Sequence, residues 1–73
     1  MQYSIKEIYE YIVALIAEFG KKHKLTDIEA YRYIRNFKAF DYIERHYAAL
    51  HTYSFQEAIE CVENQCRKKG GLL

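Results

Sequence analysis

With 73 residues and a formal net charge of +1, from 11 basic and 10 acidic side chains, the chain has room for one small domain and lacks the cationic excess of a strong nucleic-acid binder. A chain of this length buries only about 60% of its unfolded surface, and its two cysteines do not make a disulfide framework to compensate. Eight tyrosines, with no tryptophan and no proline, supply large rings with a polar tip, suited to the edge of a small core or to a protein interface.

The N-terminal stretch MQYSIKEIYE has acidic residues where a signal peptide carries a basic flank. The longest apolar run, residues 11–17, is bounded by Glu10 and Glu18 and falls far short of the ~20 residues that span a bilayer. A cytoplasmic protein with reduced thiols is expected, with no membrane segment.

Three segments, SIKE, TDIE and SFQE, read S/T-x-x-E at Ser4, Thr26 and Ser54. In a capping box the hydroxyl accepts the N–H of the third helical residue and the glutamate reaches back to the cap's own N–H. The first helix is predicted over about 4–22, where Ile5, Ile8, Tyr9, Ile12, Leu15, Ile16 and Phe19 recur every three or four residues. Gly20 and the cationic KKHK that follows mark its end, where positive charge complements the helix dipole.

A second helix over 26–36 presents Ala30, Tyr31, Ile34 and Phe37, and a third over 39–51 presents Phe40, Ile43, Tyr47 and Leu50. No glycine or proline separates them. At about 100° per residue the two stripes centre roughly 150° apart, so one continuous helix would leave one of them in water. A break is therefore predicted at residues 36–38, with Asn36 the residue most tolerant of a left-handed conformation. The last helix, over 54–69, directs Phe55, Ala58, Ile59, Val62 and Cys66 inward and Glu57, Glu60, Glu63, Asn64 and Lys68 outward, and Gly70 and Gly71 end it. The expected fold is all-α, a compact bundle of four helices with short connections.

His46 and His51 are five residues apart, as are Cys61 and Cys66. On a helix that spacing separates two side chains by about 140°, whereas helical zinc ligands converge at i, i+3 or i, i+4. Neither a metal nor any other cofactor is expected. Cys66 lies on the apolar stripe as a small buried hydrophobe. His51 closes the third helix, where its ring can donate to a final carbonyl. A Cys–His pair lacks a glycine-rich oxyanion turn and a third orienting group, so no catalytic residue is assigned and the chain is not expected to be an enzyme.

The second and third helices have the outline of a helix-turn-helix. A DNA-binding regulator is thus the alternative reading, but Asp41 and Glu44 on the would-be recognition helix oppose phosphate contact. Tyr33 at the margin of one stripe and Tyr42 off the centre of the next, with Arg32, Arg35 and Arg45 on adjacent surface, have the composition of a binding hot spot. They are the predicted contact with a protein partner, either a second copy or a larger protein. The bland reading is that both rings cover the edges of the core.

The segments LTDIEAYRYI, FDYIERHYAALHT and SFQEAIECVENQCRKKGG resemble a family of short uncharacterised bacterial helical proteins from about Phe19 onward. The shared features are Ala30 and Tyr31, Asp41 and Tyr42, and the corner formed by Leu50, His51 and Thr52. Such proteins are often encoded beside a larger protein that looks like an ADP-ribosyltransferase toxin. The resemblance therefore implies an antitoxin-like accessory acting by protein contact, with no catalytic residues to carry over. Together these readings give a small helical protein-interaction module.

Overall fold

Three hydroxyl caps set the helix starts. In the computed structural model, which describes residues 3–73, Ser4, Thr26 and Ser54 have extended backbones, and their side chains accept from the N–H groups of Glu7, Glu29 and Glu57. The reciprocal glutamate bond is complete at Thr26 and Ser54. These caps open α1 (Ile5–His23), α2 (Asp27–Asn36) and α5 (Phe55–Lys68). Between them lie α3 (Ala39–Arg45) and the single turn α4 (Tyr47–Leu50). The fold is all-α, and its 11.3 Å radius of gyration matches the ~11 Å expected of a compact chain of this length.

The core is one cluster. Leu15 and Phe19 of α1, Ala30 and Ile34 of α2, Ala39 and Ile43 of α3, Leu50 of α4, and Ala58, Ile59, Val62 and Cys66 of α5 are buried together. Each set recurs at helical spacing, so the apolar periodicity of the chain is what closes the bundle.

Three local expectations change. Gly20 does not end α1. The helix continues to His23, and Lys24 takes the left-handed conformation (φ 57°). Gly20 instead permits close approach: a Cβ there would lie 2.8 Å from the Leu25 carbonyl oxygen. Its own carbonyl accepts from the N–H groups of Lys24 and Leu25.

The break between α2 and α3 lies where the opposed stripes demand it, but Lys38 (φ 60°), rather than Asn36, carries the left-handed turn. Asn36 remains helical.

The single helix expected over 39–51 is interrupted at His46 (φ −108°, ψ 15°). The interruption accompanies docking onto α1. Tyr11 donates its hydroxyl to the Leu50 carbonyl (3.2 Å), and the Tyr47 ring meets Tyr11 edge-on at 5.3 Å. These tertiary contacts outweigh the loss of helical regularity at an exposed residue.

Candidate functional site

The corner at Leu50, His51 and Thr52 is a carbonyl-capping device. His51 donates from Nδ1 to the Tyr47 carbonyl at 2.8 Å, and because a carbonyl only accepts, the proton resides on Nδ1. The His51 ring stacks on Tyr47 (4.7 Å, 10° between planes) and meets Tyr3 edge-on. Thr52 donates its hydroxyl to the Ala49 carbonyl at 2.6 Å. His51 Nδ1 and the Thr52 hydroxyl are thus used in ending α4 before the Ser54 cap.

A buried carboxylate joins α1 to α5. Glu63, expected to face solvent, is only 4% exposed. Its Oε2 accepts from Lys22 Nζ at 2.8 Å and lies 2.6 Å from His23 Nε2, with Arg67 3.8 Å from Oε1. Burial works against ionisation, but the hydrogen bonds and charges of Lys22 and His23 outweigh it and hold the carboxyl below its ordinary range. The basic cluster after Gly20 therefore neutralises a specific inward-turned acid as well as the α1 dipole.

Cys66 is not arranged as a nucleophile. Burial, and then the Glu63 charge, push the Cys66 thiol up to about 11, so it is protonated at neutral pH. Cys61 is half-buried beside Tyr42, whose phenol is raised by burial first and by Cys61 next. Among the described residues no group of three or more His, Cys, Asp or Glu side chains is placed to hold a metal ion. No described helix is long and apolar enough to cross a membrane.

The structure takes Tyr33 and Tyr42 to different neighbours. Tyr33 packs on Phe19 and Phe37, and its hydroxyl accepts the N–H of Leu73 at 3.0 Å. Gly71 passes so close that a Cβ there would collide with that hydroxyl. Tyr42 packs on His46. Both rings are half-buried, whereas Arg32, Arg35 and Arg45 are exposed. Arg45 pairs with Asp41 at 3.0 Å, and the Arg35 guanidinium sits 5.5 Å above the ring of Tyr31.

It is Tyr31, placed on the inner stripe by sequence, that is the more open ring, at 43% exposure. Tyr31 borders an extended apolar feature of the surface. Ile5, Tyr9 and Val13, one turn apart on α1, are 69%, 59% and 66% exposed. They form a ridge beside a shallow groove of about 390 Å³ lined by Tyr9, Ile12, Val13, Ile16, Tyr31 and Phe40, with the charged Glu44 at its edge. The sequence pattern contains this ridge, since Ile5 and Tyr9 belong to the α1 stripe. That pattern gives a single apolar stripe, however, and no local signal separates the half that is covered from the half that is not.

The match to a described family agrees with the helical pattern. Residues 10–69 match the family described as protein of unknown function DUF3791. The chain belongs to the DUF3791 family. No curated protein and no solved structure matches it. The DUF3791 region contains α2 to α5 whole, the Leu50–His51–Thr52 corner, Glu63 and most of α1, including Val13, but begins after Ile5 and Tyr9.

Proposed function

We propose that this protein is a small helical interaction module that works by docking a protein partner, without a reaction or cofactor of its own. The observation that carries the proposal is the apolar ridge Ile5, Tyr9 and Val13, continued by Tyr31. Contiguous apolar surface of this extent on a small chain is the usual mark of an interaction site. Aromatic residues beside an exposed arginine, here Tyr31 under Arg35, are the side chains that dominate binding energy. The ridge supports the contact role better than Tyr33 and Tyr42, whose rings are half-buried.

The bacterial context implied by the sequence resemblance, with an ADP-ribosyltransferase-like neighbour, makes an antitoxin-like cytoplasmic accessory the natural biological setting. A DNA-binding role has less support. The α3 helix has seven residues and exposes Asp41 and Glu44, and Asp41 occupies Arg45. The test is a photo-crosslinking amino acid at Val13, introduced into the chain in its native cells. A discrete protein adduct at Val13, absent when the crosslinker replaces exposed Glu60, is expected. Equal background labelling at the two positions would remove the ridge as a docking surface.

A further inference from the structure

We infer that the occupant of the α1 ridge is a second copy of this chain, docked antiparallel about a two-fold axis near Tyr9. This rests on the reading of the ridge as a protein-docking surface and names its partner. The first argument is charge complementarity. Lys6 and Glu10 each follow a ridge residue, Ile5 and Tyr9, so both lie on the same flank of the helix, about 100° round from the ridge. They border the exposed face together with Ile5, Tyr9 and Val13. Among the described residues, neither Lys6 nor Glu10 makes an ion pair within the chain.

A two-fold axis across antiparallel helices brings like flanks together, so that residue i meets j′ and j meets i′. Centring the axis near Tyr9 sets Ile5 against Val13 of the second copy and Tyr9 against its own image. Lys6 then lies about 3 Å along the helix axes from Glu10 of the second copy, a stagger that its long side chain spans, and Glu10 stands likewise to the second copy's Lys6. Two opposite charges one turn apart on one flank are what a self-complementary face requires.

The second argument is area. Ile5, Tyr9, Val13 and Tyr31 leave roughly 500 Å² of side-chain surface in water, taking about 150–250 Å² for a fully open large side chain. A standard interface takes about 800 Å² from each partner. Half-buried Ile12, Ile16 and Phe40 in the adjoining groove, with the Lys6 and Glu10 rim, supply the remainder. The expected product is a modest dimer whose dissociation constant lies in the micromolar range, at the weak end for this area, because much of that area is half-buried groove and charged rim.

The test is sedimentation equilibrium of the full chain, with circular dichroism to show that each variant is folded. Wild type should dimerise. Lys6→Glu and Glu10→Lys, which set like charges face to face, should each weaken the dimer by about tenfold or more. The double variant should recover it. An equimolar mixture of the two single variants should form a heterodimer, because the doubly acidic flank of one chain then faces the doubly basic flank of the other. Wild type that stays monomeric through the micromolar range overturns the inference, as does a dimer indifferent to both charge reversals. In either case, a crosslink from Val13 to a different protein would leave the docking surface standing with another occupant.

Discussion

From Leu15 to His23, the inner face of α1 is enclosed. Leu15 and Phe19 have no exposed surface, Gly20 lies against the Leu25 carbonyl, and Lys22 and His23 are tied to Glu63 across the interface with α5. From Ile5 to Val13 the same helix offers three large apolar side chains, each more than half in water. The two halves have similar apolar periodicity and differ in what the rest of the chain brings to them. The C-terminal half is met by both α2 and α5, whereas the outer face of the N-terminal half extends past its neighbours. Periodicity therefore records every face that must avoid water, including those covered only by another molecule.

The sharpest way to break this comparison is to truncate one apolar residue from each half. Phe19→Ala should cost about 3–5 kcal/mol of unfolding free energy, as expected for a buried aromatic. Val13→Ser should leave the monomer within about 0.5 kcal/mol, as expected of a surface site. Urea denaturation at concentrations too dilute for association measures both. Equal losses would mean that the N-terminal half is part of the core.

The acid end of the enclosed half gives the next largest effect. Glu63→Gln keeps the shape but removes the charge that Lys22 and His23 face, with an expected loss of about 1–3 kcal/mol near neutral pH. The sign with pH follows from the lowered carboxyl. A depressed folded pKa stabilises fully above the unfolded value of about 4.3, and this contribution is lost as pH falls through the folded value. Wild type should therefore lose part of its stability below about pH 4, and Glu63→Gln should lose less over the same range. Parallel curves for the two proteins would show that the pair contributes nothing to the closure of α1 onto α5.

The smallest of these effects is a gain. Lys38 holds a left-handed conformation that favours glycine, so Lys38→Gly should stabilise the chain by about 1 kcal/mol, read as a rise in thermal midpoint. Because Lys38 itself lines neither the ridge nor the groove beside it, dimerisation should not change.

What could be read from the sequence was local in origin. Ser4, Thr26 and Ser54 announce α1, α2 and α5 through bonds that span three residues, and the opposed stripes of α2 and α3 require the break near Lys38. Which residue turns left-handed is decided by how the two helices must be aimed, and intrinsic tolerance favoured Asn36 instead. The interruption at His46 has no glycine or proline to mark it and reflects the seat of α4 on Tyr11. Glu63 looked like an outward charge because its partners, Lys22 and His23, lie some 40 positions away along the chain. For the candidate surface, the ridge residues were visible as apolar but not as open, and Tyr31 and Tyr33 exchanged roles. On a helix as short as α2, one residue of rotation separates a ring over the core from one beside a groove.

The two cysteines also make the protein a natural gauge of its own breathing. Cys61 lies part-way to the surface, while Cys66 is sealed in the core, with its thiol held near 11. An alkylating reagent at neutral pH should modify Cys61 while the fold is intact and reach Cys66 only when α5 comes away from the bundle. Counting labels by mass would then report surface chemistry from the first adduct and the frequency of core opening from the second, with no probe added to the chain.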